Sequence, residues 1–186
     1  MNERLKQKKS SCIKIVLFGP ESTGKTTLGQ QLSKHYSSLC VPEYSREYAE
    51  NKLNKGLFLS KEDVLSIAIG QMDLENSYSQ KNRTILFYDT NLLETKIYSE
   101  YIYEGFCPED LKRAVSVNKY DLYLLTDIDI PWEFDTVRSS ENDRNKMFTV
   151  FKKELERLKL PYVLLSGGKE VRFIKATAVI NSLLEN

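Results

Sequence analysis

A glycine-rich segment near the start of the chain has the spacing needed to hold a phosphate chain. Residues 19–26 read GPESTGKT and match the pattern G-x-x-x-x-G-K-[ST]. Gly19 and Gly24 let the backbone curl so that successive N–H groups can face phosphate oxygens. Lys25 is spaced to bridge the β- and γ-phosphates, and the Thr26 hydroxyl is spaced to bind Mg²⁺. An apolar run precedes the segment and a helical pattern follows it, so an empty glycine-rich turn is the weaker alternative. We predict a nucleoside triphosphate site.

An aspartate after a second apolar run is the candidate partner of this phosphate loop. Residues 84–89 read TILFYD, which places Asp89 at the carboxyl end of a predicted strand. If that strand neighbours the one before the phosphate loop, Asp89 holds Mg²⁺ directly or through water. The alternative is a turn-forming aspartate, which is common after strands.

Transfer of a phosphoryl group to a small acceptor also needs a carboxylate near the acceptor hydroxyl and a pocket for its ring. The segment VPEYSREY follows the second predicted strand at the same sheet edge. Here Glu43 is a candidate for accepting the proton, Tyr44 for stacking on a ring, and Arg46 for contacting a phosphate or holding Glu43. The alternative is a capped helix start with amphipathic tyrosines.

An arginine-bearing segment after the fourth predicted strand has the composition of a mobile lid. Trp132 is the only tryptophan and lies in a loop beside a proline. Asp135 and Arg138 are spaced for one face of a helical turn, and Arg144 lies six residues further on. Such lids close over a transferring phosphoryl group and stabilise its charge. The alternative for Asp135 and Arg138 is an exposed ion pair of little energetic weight.

One motif in the sequence points to a different class of nucleotide-binding protein. Residues 118–121 read NKYD and match the guanine-reading pattern N-K-x-D. In GTPases that pattern follows a strand, whereas here an apolar strand begins at its end, and D-x-x-G is absent after Asp89. We therefore predict that residues 118–121 end a helix and lead into a strand.

Composition excludes several classes of site. The chain has 186 residues and a net charge of +1, which argues against a dedicated nucleic-acid partner. A single histidine, His35, excludes a histidine-rich metal site and makes a Ser–His–Asp triad improbable. The three cysteines, Cys12, Cys40 and Cys107, form no CxxC and suggest reduced thiols in a cytoplasmic protein. No apolar run is long enough to span a membrane, so no membrane association is expected.

These residues must be positioned by an alternation of strands and helices. Near-continuous apolar runs predict strands at 13–18, 39–42, 84–89, 121–126 and 161–166. Helical patterns separate them, one beginning at a possible capping box of Ser60 and Asp63. The order predicts an α/β, three-layer P-loop NTPase fold with a five-stranded parallel sheet and helices on both faces. We expect a single domain at 12–186, preceded by a flexible basic arm at 1–11.

Five segments together resemble the ribosylnicotinamide kinase domain of NadR-like proteins. They read GPESTGKTT, PEYSREY, IAIGQ, FYDTNLLETK and DLYLLTDIDIPWEFDTVR, and the resemblance runs in order from about residue 13 to residue 180. It implies an ATP- and Mg²⁺-dependent kinase that phosphorylates the 5′-hydroxyl of nicotinamide riboside to give nicotinamide mononucleotide. Another nucleoside or nucleotide kinase and a regulatory ATP-binding module remain as alternatives, and the oligomeric state is left open.

The resemblance also implies roles for individual residues. ATP is expected to bind at Gly19, Glu21, Ser22, Thr23, Gly24, Lys25, Thr26 and Thr27. The expected metal ligands are Thr26 and Asp89. The acceptor is expected to bind at Glu43, Tyr44, Arg46, Trp132 and Asp135, and catalysis to involve Lys25, Glu43, Asp89, Arg138 and Arg144. Either Glu43 or Asp89 takes the proton, and Glu43 is favoured because Asp89 serves the metal. Family members often carry an aspartate where this chain has Asn91.

Overall fold

A computed structural model describes residues 2–81, 83–132 and 143–185. The strands in these ranges are β1 (Ile13–Phe18), β2 (Leu39–Val41), β3 (Ile85–Asp89), β4 (Leu122–Thr126) and β5 (Tyr162–Leu165). The α-helices are α1 (Lys25–His35), α2 (Tyr44–Leu53), α3 (Val64–Ser79), α4 (Leu92–Ile102), α5 (Glu109–Val117), α6 (Arg144–Arg157) and α7 (Lys169–Leu184). Short 3₁₀ turns lie at Glu3–Leu5 and Lys61–Asp63.

Within the described residues, five parallel strands form a sheet in the order β2-β3-β1-β4-β5. The central strand β1 pairs with β3 on one side and with β4 on the other, so that Leu17 lies opposite both Asp89 and Leu124. Because β1 and β3 are neighbours, the phosphate loop after β1 and Asp89 at the end of β3 reach the same edge. The predicted parallel sheet is confirmed, with strand ends that differ from the prediction by one residue or less.

Helices cover both faces of the sheet, as the apolar runs require. Alternate residues of β1 point to opposite faces, because side chains of a strand alternate. Val16 packs with Phe151 of α6 on one face, and Leu17 packs with Leu32 of α1 and Ile180 of α7 on the other. A further apolar cluster joins α3, α4 and α5 beyond the first face. The three-layer architecture is therefore confirmed.

The N-terminal segment, which the sequence predicts to be a flexible basic arm, lies against the domain in this structure. Leu5 is fully buried in the cluster formed by α3, α4 and α5. The Asn76 side chain accepts a hydrogen bond from the backbone N–H of Lys8 at 2.7 Å and donates one to the backbone carbonyl of Lys6 at 2.9 Å. The basic side chains of this segment remain exposed while its apolar residue is anchored. The basic composition of the segment gave no indication that Leu5 would be buried.

Two local predictions about helix ends are confirmed. Ser60 and Asp63 form the predicted capping box before α3. Asn118 ends α5, and its side chain donates a hydrogen bond to the backbone carbonyl of Leu5 at 3.1 Å. The NKYD segment therefore ends a helix, as predicted, and its asparagine holds the N-terminal segment. None of the helices in the described ranges is long and apolar enough to cross a membrane.

Candidate active site

The phosphate loop connects β1 to α1 and depends on its glycines. Gly19 has φ +136° and Gly24 has φ +80°, both in the region that favours glycine. A Cβ atom at Gly19 would lie 2.8 Å from Thr126 Oγ1, so the loop also needs the missing side chain. The Thr23 hydroxyl donates a hydrogen bond to the Pro20 carbonyl at 2.7 Å, which closes the loop across its own turn.

Lys25 lies at the first position of α1 with its ammonium folded back over the loop. Its Nζ donates hydrogen bonds to the Gly19 carbonyl at 2.5 Å and the Pro20 carbonyl at 2.9 Å. A carboxylate oxygen of Glu94, in the first turn of α4, lies 3.5 Å from the same nitrogen. Both residues are buried, each with 6% of its surface exposed. The ammonium is therefore held at the mouth of the phosphate loop.

Thr26 and Asp89 meet at the same edge of the sheet. The Thr26 hydroxyl donates a hydrogen bond to Asp89 Oδ2 at 2.6 Å. Asp89 is 4% exposed, and the backbone N–H of Thr90 donates to the Leu17 carbonyl at 3.3 Å, which ties the end of β3 to β1. A hydroxyl and a carboxylate side by side next to a phosphate loop form a donor set that suits Mg²⁺.

Arg144 fastens the phosphate loop from outside. At the start of α6, its guanidinium donates to the Ser22 carbonyl at 2.8 Å and to the Ile130 carbonyl at 2.8 Å. It was predicted as a lid residue, and the structure places it against the loop backbone. The lid candidates Asp135 and Arg138 lie outside the described residues.

Arg172 of α7 makes a second clamp, which the sequence reasoning missed. Its guanidinium donates to the carbonyls of Thr23 at 2.6 Å and Asp127 at 2.9 Å, and it is paired with Asp129. The residue is 4% exposed. Arg172 lies at helical spacing from the buried residues Ala176 and Ile180. An arginine on a buried helix face needs hydrogen-bond partners, so this spacing could have indicated its role.

A cleft of about 960 Å³, a volume that includes space open to solvent, lies beside the phosphate loop. Lys25 and the carboxylates of Glu21, Glu43 and Glu94 are among its lining residues. Its wall also includes apolar and aromatic side chains from α2, α3 and α4 and from the residue after α4: Ala49, Val64, Ile67, Tyr98, Ile102 and Tyr103. The cleft therefore places Lys25 and several carboxylates beside an apolar and aromatic wall.

The structure brings Glu43 and Arg46 to this cleft. Glu43 precedes α2, and its Oε1 accepts a hydrogen bond from the Ser45 hydroxyl at 2.6 Å. Arg46 also lines the cleft, and its guanidinium lies 3.7 Å from a carboxylate oxygen of Glu50. Both residues therefore occupy positions from which they can contact an acceptor.

Tyr44 does not line the cleft, contrary to its predicted role in stacking on the acceptor. Its ring lies over Gly70 of α3, where an added Cβ atom would be 2.0 Å from the ring. Its backbone N–H donates to Gln71 Oε1 at 2.9 Å. Successive helical residues point about 100° apart, so the first turn of α2 directs Tyr44 toward α3 and Arg46 toward the cleft. Trp132 is half-buried after Pro131 and is not among the residues that line the cleft.

Glu94 and Tyr98 are cleft residues that the sequence reasoning missed. They are four residues apart on α4, the helix that follows Asp89 of β3, and they share a face. Burial, together with the carboxylates of Glu94, Glu21 and Glu43, raises the pKa of the Tyr98 hydroxyl well above its usual range. The polar pair at helical spacing so soon after Asp89 was the available signal.

A second cleft, of about 710 Å³, lies on the other side of the phosphate loop. Its wall combines the first turns of α1 and α7 with the chain after β4, and its lining residues include Gly24, Thr27, Gln31, Ile130 and Arg172. Both clefts border the loop, because Glu21 and Lys25 line the first and Ser22 and Gly24 line the second.

Comparisons with known proteins agree with this geometry. An AAA domain family model matches residues 14–172. The NadR proteins of Escherichia coli and Salmonella typhimurium, each described as a trifunctional NAD biosynthesis and regulator protein, are 25% and 24% identical over 177 residues. The match covers 91% of this chain and 42% of each relative, so the chain spans less than half of their length.

Solved structures show the same fold. A crystal structure of a NadR protein in complex with NR is 22% identical, with a TM-score of 0.76 over 92% of this chain and 51% of that chain. Deoxyadenosine kinase from M. mycoides is 15% identical, with a TM-score of 0.63 over 92% of this chain and 100% of that chain. The resemblance to NadR-like proteins and to the P-loop kinase fold is therefore confirmed. From the extent of the family match, the chain belongs to the AAA domain family.

Proposed function

We propose that the protein is an ATP-dependent kinase that phosphorylates the 5′-hydroxyl of nicotinamide riboside to give nicotinamide mononucleotide. The observation that carries this proposal is the cleft itself, in which Lys25 lines a chamber together with carboxylates and tyrosines. Thr26, the next residue in the chain, donates its hydroxyl to Asp89. The similarity to a NadR protein bound to NR supports the choice of acceptor.

The phosphate end would act by positioning and by neutralising charge. Backbone N–H groups of the loop and the Lys25 ammonium bind the phosphates of ATP. Thr26 and Asp89 would hold Mg²⁺, which offsets the charge on the phosphate oxygens when it is bound. The second cleft is the proposed place for the adenine, with Thr27 and Gln31 among its polar contacts.

The acceptor end would bind and orient the riboside. Nicotinamide riboside carries a cationic ring, which favours a wall of tyrosines and carboxylates. Tyr98 and Tyr103 provide aromatic surface, while Arg46 remains a proposed contact. Glu43 is the proposed proton acceptor for the 5′-hydroxyl, since the Asp89 carboxylate is committed to Thr26 and the metal site. Trp132, Asp135, Arg138 and Arg144 remain proposed contributors to the closed site.

An ADP-release assay tests the proposal. The purified protein is supplied with ATP, Mg²⁺ and one acceptor at a time, taken from nicotinamide riboside and the common nucleosides. We expect ADP release with nicotinamide riboside to exceed that with every other acceptor. Turnover of another nucleoside without turnover of nicotinamide riboside would support the kinase activity but contradict the assignment of nicotinamide riboside as its acceptor. ATP binding with no turnover of any acceptor would favour a regulatory module.

A different nucleoside or nucleotide kinase is the second candidate. It is favoured by the structural similarity to deoxyadenosine kinase and to thymidylate kinase from Ehrlichia chaffeensis, which has a TM-score of 0.61 at 14% identity. A cytoplasmic location without nucleic-acid or membrane partners remains part of the proposal for either kinase.

A further inference from the structure

The Lys25–Glu94 pair couples the phosphate loop to a helix that the loop motif does not include. Lys25 belongs to α1, which precedes β3 in the chain, and Glu94 belongs to α4, which follows β3. Their charged atoms lie 3.5 Å apart, and their side chains are 6% and 7% exposed. At this depth the attraction is weakly screened, because little water reaches the pair.

The position of Glu94 is fixed by the start of its helix. The Asn91 side chain caps α4 by accepting a hydrogen bond from the Leu93 N–H at 3.1 Å, and it donates one to the Tyr123 hydroxyl at 3.0 Å. The backbone N–H of Glu94 donates to the Asn91 carbonyl at 3.1 Å. Asn91 thus anchors the first turn of α4 to β4, and Glu94 is held where the Lys25 ammonium meets it.

A buried ammonium is costly without a counter-charge. The Gly19 and Pro20 carbonyls offer partial negative charge to Lys25, and Glu94 offers a full one. The β- and γ-phosphates of ATP need the same ammonium. A carboxylate and a triphosphate brought close to one cation repel each other, so each weakens the other's hold on Lys25.

We propose that Glu94 is the resident counter-anion of Lys25, which stabilises the empty site and is displaced from the ammonium by the triphosphate. Glu94 is then a positioning residue that acts through Lys25 and sets the affinity for ATP. Two other carboxylates near the loop accept hydrogen bonds from other groups: Asp89 accepts from Thr26, and Glu43 accepts from Ser45. The proposal depends on ATP binding at the loop and not on the identity of the acceptor.

The proposal predicts that Glu94→Gln lowers the stability of the empty protein and raises its affinity for ATP. Glu94→Gln removes the counter-charge but keeps the side-chain size, so the empty protein becomes less stable. The same change lets Lys25 interact with the phosphates without competition, so ATP binds about five- to tenfold more tightly, in the usual range for coupling between two ligands. AMP has no β- or γ-phosphate, so its affinity stays unchanged.

The experiment measures dissociation constants for ATP and AMP by calorimetry, and melting temperatures with and without ATP. We expect Glu94→Gln to lower the melting temperature without ATP and to show a larger ATP-induced rise than the wild type. Glu100→Gln is the matched control, because Glu100 is also on α4 and its carboxylate lies 2.8 Å from Lys96 Nζ. It should change neither constant. A Glu94→Gln protein that binds ATP more weakly, or equally well, would overturn the proposal, as would equal tightening for AMP.

A double variant keeps the proposal testable if Glu94→Gln folds poorly. In Lys25→Met, Glu94 loses its cation, so adding Glu94→Gln should raise the melting temperature of that variant. A further decrease would overturn the proposal, because it would show a structural role independent of Lys25. Failure of the wild type to bind ATP would instead contradict the proposed function, and the melting temperatures would still decide the role of Glu94.

Discussion

The phosphate end and the acceptor end of the site are built in different ways. At the phosphate end, the binding groups are mainly backbone atoms of a contiguous loop, and Arg144 and Arg172 hold that loop through its own carbonyls. At the acceptor end, the wall consists of side chains from α2, α3 and α4. In a contiguous loop, the spacing of residues in the sequence determines which groups face the phosphates. In a wall built from helices, the rotation of each helix determines which side chains face the acceptor. The first should therefore tolerate substitution least, and the second should decide which acceptor is bound.

The largest effect is expected at Lys25. Lys25→Ala removes the cation that faces the phosphates, so turnover should fall by about 10³-fold or more. Steady-state ADP release measures the loss, and circular dichroism reports whether the fold is retained. Lys34→Ala, an exposed lysine of the same helix, is the matched control and should keep normal turnover. Near-normal activity in Lys25→Ala would contradict its placement on the phosphates.

A smaller effect, confined to one constant, is expected at Glu43. Glu43→Gln removes the proposed proton acceptor but keeps the side-chain size, so kcat should fall by about 10²-fold. ATP affinity should stay within about twofold, because Glu43 belongs to the acceptor end. Glu47→Gln, exposed on the same helix, is the control. Equal losses in kcat and ATP affinity would make Glu43 a structural support and would blur the division between the two ends.

What could be read from the sequence follows the same division. The strand ends and the parallel direction of the strands follow from apolar runs alternating with helical patterns. The meeting of Thr26 with Asp89 was expected only if their strands were neighbours, a condition that the sheet order meets. The contact of the Tyr44 ring with Gly70 could not be predicted, because it depends on the rotation of α2 against α3, which the local sequence does not determine. Leu5 was overlooked because the exposed charges around it dominate the composition.

The residues that the sequence reasoning missed act across long separations in the chain. Glu94 meets Lys25 only because β3 lies beside β1 in the sheet. Arg172 contacts the Thr23 carbonyl, which is 149 residues away in the chain. Their partners are set by the sheet order and not by spacing, so a motif search around residues 19–26 does not find them.

A moderate effect is expected where α2 meets α3. A Cβ atom at Gly70 would lie 2.0 Å from the Tyr44 ring, so Gly70→Ala forces the ring and the first turn of α2 to move. Overpacking of this kind should lower the free energy of unfolding by about 1–3 kcal/mol. The KM for the acceptor should rise more than the KM for ATP. Adding Tyr44→Ala relieves the clash and should restore much of the stability. An equal rise in both KM values would show that the acceptor end and the phosphate end do not bind their ligands independently.

The smallest effect on activity is expected at Glu75, further along α3 and away from both clefts. Its Oε2 accepts a hydrogen bond from the Tyr120 hydroxyl at 2.7 Å. Burial raises the pKa of this carboxyl to about 8, although Tyr120, Gln71 and Lys14 favour the charged form. The native state therefore keeps a proton that the unfolded chain releases near pH 4.5.

The sign of the pH dependence follows from that proton. Between about pH 4.5 and pH 8 the native state binds more protons at Glu75 than the unfolded state, so this carboxyl's contribution to stability falls as pH rises. In Glu75→Gln the dependence disappears, so the free energy of unfolding of the wild type should decline across this window relative to the variant. Urea unfolding at several pH values measures the difference. Asp73→Asn, exposed on the same helix, should keep the wild-type slope. Parallel curves for wild type and Glu75→Gln would show that the carboxyl is ionised in the native state, and that α3 carries a buried charge there as α4 does at Glu94.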